Sequence, residues 1–358
     1  MKSRNTLFDF IPREWLLFAS VLGLVATSLY LKRPPVFSTS EIQVLFLLWV
    51  LFVAVKGLEN SGLISNIAQS IEKGRLIPLK LVAAAFFMSM VITNDIALIV
   101  IVPLTLSINT SRKDILVILE ALAANAGSAF TPFGNPQNLF IYWFYHIDPT
   151  DFVTSIAPFS FFFLALLLAV SFVVKTQNDK KVQPRKVLIE RTAYVYGGLL
   201  FVVVLTVFRV IPVVSGALVL AYAFVFNRKS LRVDYSLLLT FLCFFGLTEN
   251  IRILLTARLE HSGHIFILSA LTSQVMSNVP VALLFAKFTT QWKALLWGTN
   301  VGGYGNIMAS FANIIAYKLY VGHESSNNIA SFTIKFIGIG YVMFFVGMGL
   351  YWAIEVWF

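Results

Sequence analysis

The sequence predicts an all-α polytopic membrane protein: an inverted repeat with two opposed re-entrant hairpins and two discontinuous helices, about nine full spans plus the hairpins. Three observations predict it. The 358 residues are 58% hydrophobic and only 12% charged, half the roughly 25% of a soluble domain, so lipid is the main solvent. The long apolar runs are interrupted by Thr93-Asn94-Asp95, by Thr131 to Pro136, by Ser277-Asn278-Val279-Pro280 and by Thr299 to Asn306. At membrane depth such residues are tolerated only against protein or a water-filled cavity. These interruptions also recur in the same order in both halves. A barrel would instead show alternating segments of about 10 residues.

The net charge of +10 is the basic excess of cytoplasmic loops rather than a nucleic-acid signal. Cys243 stands alone and forms no internal disulfide. His146, His261, His264 and His323 show no metal spacing. The absence of a Walker-type loop argues against an ATP-driven pump. No nucleophile–base set points to an enzyme, and no cofactor is implied beyond Na⁺ as a candidate coupling ion. The 34 Phe read as lipid-facing or core.

In order, Trp15–Leu31 is an uncleaved first span and Glu41–Val55 a second. Leu63–Lys73 is too short to cross the roughly 30 Å hydrocarbon core and reads as an interfacial helix. The stretch 79–108 is either one tilted span or a hairpin with its tip at Thr93-Asn94-Asp95; each arm of about 13 residues gives roughly 20 Å of helix. The stretch 115–145 is a span broken at Thr131–Pro136, since two prolines and a glycine do not fit one helix; a half-helix starts near Pro136. A span over 156–174 and a basic linker over 175–191 follow. The second half has spans at 192–208, 211–226 and 235–247, and an interfacial helix from Thr248 to Glu260. It continues with a hairpin at 264–290, a broken span at 295–320 and a last span at 331–352. The repeats are thus 1–174 and 192–358.

Residues 123–145 lie against 298–320 without a gap: Asn125 on Asn300, Gly127 on Gly302, Asn138 on Asn313. Thr93-Asn94 matches Ser277-Asn278, and Glu59-Asn60 matches Glu249-Asn250. With the N-terminus in the cytoplasm, the first hairpin entering from inside and the C-terminus outside, about 20 of the 27 Lys and Arg lie inside. A full span at 79–108 would put the six basic residues of 175–191 outside, which favours the hairpin. The repeats are then inverted, as in many secondary transporters whose site lies at the midplane.

Each break exposes N–H groups and a dipole that favour an anion, and carbonyls that suit Na⁺. Thr93, Asn94, Asn135, Ser277, Asn278, Thr299 and Asn300 are the candidate substrate-binding residues. Asp95, Asn94, Gly134, Asn278, Gly302 and Gly303 are candidates for cation coupling. Asp95 reads either as a coupling-ion ligand or as an N-cap. Lys287 reads as a residue snorkelling to the interface. Glu59 and Glu249 read as sharing one structural role, such as capping the interfacial helices.

Thr93-Asn94-Asp95 with Gly134-Asn135-Pro136-Gln137-Asn138, and Ser277-Asn278-Val279-Pro280 with Asn300-Val301-Gly302-Gly303, resemble the ion transporter superfamily. That group holds the divalent anion:sodium symporters (citrate and dicarboxylate carriers) and the ArsB/NhaD-type permeases. The resemblance covers about 40 to 352. It implies a scaffold, a transport body with two opposed hairpins, a homodimer, elevator movement, and mirror cation sites at Thr93, Asn94 and the Gly134 loop and at Ser277, Asn278 and the Gly302–Gly303 loop. The substrate would lie between Asn94 and Asn278. The dicarboxylate carriers have Ser-Asn-Thr at both tips; the acidic Asp95 is more similar to the arsenite and Na⁺/H⁺ branch. The expected activity is secondary transport of a small carboxylate or oxyanion in a prokaryotic inner or plasma membrane. Arsenite-type efflux and Na⁺/H⁺ antiport are the alternatives on the same scaffold, and a channel the other class.

Overall fold

The computed structural model describes residues 15–71, 76–107, 112–174, 189–254, 262–323 and 328–357. Among these, the chain forms sixteen α-helices, three short 3₁₀ segments and no strand. Four helices are long and apolar enough to cross a membrane: α2 (Thr39–Asn60), α8 (Pro149–Val173), α11 (Tyr235–Leu254) and α16 (Ile329–Trp357). The other expected spans are shorter single helices or broken pairs. α1 (Trp15–Leu31) has 17 residues and α9 (Thr192–Val207) has 16, roughly 25 Å each. α10 (Ala217–Phe226) follows a 3₁₀ turn. α3 (Leu63–Ile71) is the expected short amphipathic helix. Most of the linker, 175–188, lies outside the described residues, as do 255–261 and the N-terminal 14.

The first hairpin is α4 (Ile77–Ile92) and α5 (Asn94–Ser107). Its arms pack against each other and both pack against α6 (Lys113–Ala129). A single tilted span does not allow that, so the hairpin reading holds. The second hairpin, α12 (Ser262–Met276) and α13 (Asn278–Ala286), does the same with α14 (Trp292–Gly302). The broken spans are completed by α7 (Pro136–Phe144) and α15 (Phe311–Val321). Packing between repeats is crossed: α5 lies on α15, and α13 on α7. The unbroken helices α1 and α11 pack together, as do α2 and α9.

Small residues let these helices approach. A Cβ on Gly127 would sit 2.1 Å from the Phe86 carbonyl oxygen and 2.5 Å from Ser89 Oγ; one on Gly302 would sit 2.6 Å from Ser273. Ser89 and Ser273 each lie four residues before their hairpin break, so the two crossings are built at matching positions.

Three sequence expectations are corrected. No separate interfacial helix opens at Thr248: α11 runs unbroken through Glu249 and Asn250 to Leu254. The buried Asn250 is tolerated because its amide donates to Thr27 and Ser28 (both 3.0 Å) and accepts from Arg33. Glu59 and Glu249 do not share a role: Glu59 pairs with Lys56 one turn back, whereas Glu249 pairs with Arg252 and Lys287. Lys287 does not snorkel; its side chain is 8% exposed and ion-paired with the buried Glu41. A buried lysine is tolerated only with such partners.

Candidate functional site

Both hairpins turn at a strained residue. Thr93 has φ 77°, ψ 149° and Ser277 has φ 69°, ψ 152°. This region is essentially reserved for glycine and costs about 1–3 kcal/mol for another residue. Finding it twice, at matched positions, marks a backbone shape that the fold enforces. It lets α5 and α13 restart at Asn94 and Asn278 with their first turns beside the loops of the broken spans.

At the first tip, the Asn94 N–H donates to the Gly134 carbonyl (3.2 Å), and its side-chain amide donates to Asn125 Oδ1 (3.3 Å). Asn94 Oδ1 accepts the Asp95 N–H (3.0 Å). A Cβ on Gly134 would lie 2.3 Å from the Ser128 carbonyl oxygen, so only glycine lets this loop close. At the second tip, the Ser277 hydroxyl faces Asn278 Oδ1 at 3.5 Å. A Cβ on Gly303 would meet the Asn278 amide nitrogen at 2.9 Å. Thr131 donates to the Met90 carbonyl (2.8 Å), and its counterpart Asn306 donates to the Gln274 carbonyl (2.8 Å). In both hairpins that carbonyl lies three residues before the strained turn.

The repeats meet through asparagines. Asn125 Nδ2 donates to Asn313 Oδ1 and Asn300 Nδ2 to Asn138 Oδ1, both at 2.9 Å. Asn138 in turn donates to the Ser128 carbonyl (3.4 Å), as Asn313 does to the equivalent Gly303 carbonyl (2.9 Å). Ser310 Oγ also donates to Asn125 Oδ1 (3.0 Å). A continuous polar path therefore runs from Asn94 through Asn125 and Asn313 to Gly303, beside Asn278. Thr93, Asn94, Ser277 and Asn278 are all at most 4% exposed, so the arrangement is closed to bulk solvent.

The predicted residues divide by what their side chains do. Asn135 caps α7: its Oδ1 accepts the Asn138 N–H (2.9 Å), and its amide donates to Ser128 (3.1 Å). Thr299 turns back onto the Leu295 and Leu296 carbonyls, and Asn300 is committed to Asn138 and Leu296. These three hold the loops in place. The Asp95 carboxylate lies in the first turn of α5, and its buried Oδ1 has no hydrogen-bond partner. Two further buried polar residues are not among the sequence candidates. Asn125 is the repeat mate of Asn300, and the alignment of 123–145 with 298–320 is the signal that points to it. Glu120 is a fully buried acid on α6 that accepts from Thr105 on α5, and its signal is a lone acid in an apolar run.

Residues 11–302 match the family described as citrate transporter. The chain belongs to the citrate transporter family. Its similarity extends to several relatives. It is 32% identical over 328 residues to the uncharacterized transporter MJ0456 of Methanocaldococcus jannaschii, covering 86% of this chain and 90% of that protein. It is 31% identical over 296 residues to the inner membrane protein YbiR of Escherichia coli K12, covering 75% and 77%. A shorter match, 27% over 149 residues, is to the silicon efflux transporter LSI3 of Oryza sativa subsp. japonica, covering 39% and 30%. A citrate transporter family member with this helix content is a membrane transporter.

Proposed function

We propose that the protein is a secondary active transporter of a small anion, a carboxylate or oxyanion, coupled to Na⁺ or H⁺. The observation that carries this reading is the pair of strained restarts at Asn94 and Asn278. The first turn of α13 has no side-chain cap, so its N–H groups and dipole are available to an anion. The Thr93 and Ser277 hydroxyls, with carbonyls of the Gly134 and Gly302–Gly303 loops, offer hard neutral oxygens suited to Na⁺. Neutral donors bind an anion without holding it permanently. The substrate sits between the two tips, with Asn94 and Asn278 as its amide ligands.

The matched packing supports paired repeats at 1–174 and 192–358, and the basic residues of 175–191 support the inverted orientation with the N-terminus cytoplasmic and the C-terminus outside. In this reading α1, α2 and α9–α11 form a dimeric scaffold. The hairpins and broken spans move against it as an elevator. A second reading, arsenite-type efflux or Na⁺/H⁺ antiport, is favoured by two observations: Asp95 puts an unpartnered carboxylate oxygen at the first tip, and the rice relative is named for efflux.

Proteoliposome assays separate these readings. Uptake of labelled citrate or succinate that requires an imposed Na⁺ or H⁺ gradient supports anion symport. Proton release on adding Na⁺ without any anion supports antiport, and conductance without gradient coupling rejects both.

A further inference from the structure

Lys287 ends α13 at its C-cap. Its Nζ lies 2.7 Å from Glu41 Oε1 and 3.2 Å from Glu249 Oε2, over the ring of Phe144 at 5.5 Å. Glu41, 1% exposed, divides its oxygens: Oε2 accepts the Ser38 N–H at 2.6 Å in a capping box at the start of α2, leaving Oε1 for Lys287. Arg252 holds Glu249 at 2.6 Å, and all four charged residues line a cavity of about 410 Å³. The cluster is two acids and two bases, so it is neutral as a set.

Two features distinguish it from an ordinary buried ion pair. It joins parts with different roles: Glu41 and Glu249 stand on the unbroken helices α2 and α11, whereas Lys287 ends the hairpin arm that begins at Asn278. It is also one-sided. The offset that carries Thr93 onto Ser277 and Ser89 onto Ser273 carries Pro103 onto Lys287, so the first hairpin has no cation there. In a transporter built from two repeats, the end states exchange the repeats' conformations. A contact that only one repeat can make stabilises only one of those states.

We propose that Lys287, with Glu41 and Glu249, is an ion lock that positions the second hairpin against the unbroken helices and so biases which face of the membrane the site opens to. The inference rests on the elevator reading above. Lys287 is a positioning residue: it touches no substrate, and its partners are the two carboxylates.

The test is the distance between spin labels at Leu218 on α10 and Val275 on α12, both exposed at 57% and 74%. It uses full-length protein in proteoliposomes with Cys243→Ser. Wild type is expected to show two populations. Lys287→Met is expected to cut the docked one about tenfold or more, because it strands a buried carboxylate. Glu41→Gln/Lys287→Met removes both charges, folds without that penalty, and is expected to shift the ratio in the same direction. Lys287→Arg is expected to restore it. Two wild-type populations whose ratio ignores all three variants would overturn the lock alone. A single distance under every ion gradient would overturn the elevator reading and the lock with it.

Discussion

Asn125 donates to Asn313 across the boundary between repeats, and Asn300 donates to Asn138 at the same 2.9 Å. The donors are repeat mates and so are the acceptors, so the two bonds are one contact made twice. Truncating any one of the four leaves a buried amide unsatisfied, which costs about 1–3 kcal/mol. Asn125→Ala and Asn300→Ala are therefore both expected to lower the melting temperature in detergent, Asn125→Ala by more because its Oδ1 also accepts from Asn94 and Ser310. Asn125→Ala is also expected to lose transport more sharply, because it releases Asn94. A variant of either residue that melts like wild type would break the proposed equivalence.

The strained turns give a prediction of opposite sign. Ser277→Gly relaxes a backbone that costs about 1–3 kcal/mol, offset by roughly 0.5–1 kcal/mol of unfolded-chain entropy. It is expected to melt at or above wild type, whereas Ser277→Ala keeps the strain and gains nothing. Both lose the hydroxyl, so both are expected to weaken cation dependence. A Ser277→Gly variant clearly less stable than Ser277→Ala would show that strain is not what the turn stores.

Glycine contacts separate packing from conformation. Gly127→Ala drives a methyl into the Phe86 carbonyl at 2.1 Å and is expected to destabilise by about 1–3 kcal/mol or to prevent assembly. Gly197 on α9 has nothing within 4 Å of the added carbon. There alanine is expected to stabilise by up to about 1 kcal/mol through helix propensity alone. Thermal melts of both variants in one detergent check this.

Asp95→Asn keeps the shape of the side chain and removes its charge. Because Asp95 Oδ1 has no hydrogen-bond partner to lose, the fold is expected to hold and melting to change little. The dependence of transport on Na⁺ or pH is expected to change more than substrate preference. An unchanged ion response and pH profile would leave Asp95 without a coupling role.

Much of this was legible in the sequence because breaks in apolar runs are hard to hide. Thr93, Ser277, the Pro136 restart and the glycines at 127 and 302 all appear as residues that lipid-facing helix does not tolerate. What the sequence concealed was pairing. Nothing local says that Lys287 reaches Glu41, about 250 positions away, so it read as an interfacial lysine. The polar run from Thr248 looked like the start of a new helix because the partners of Asn250, Thr27 and Ser28 in the first span and Arg33 just after it, are more than 200 positions away. Nor could the sequence show that Thr299 turns back onto Leu295 and Leu296 or that Asn135 caps α7, because a side chain's type is visible and its direction is not.

The central claim is that the two hairpin tips form one binding site, with Asn94 and Asn278 on either side of a small anion. Its most direct test is gradient-driven uptake of labelled citrate and succinate into proteoliposomes holding wild type, Asn94→Ala or Asn278→Ala, with insertion checked by melting. Uptake by wild type that both variants abolish while remaining folded is the predicted result. Wild-type rates in either folded variant would contradict it.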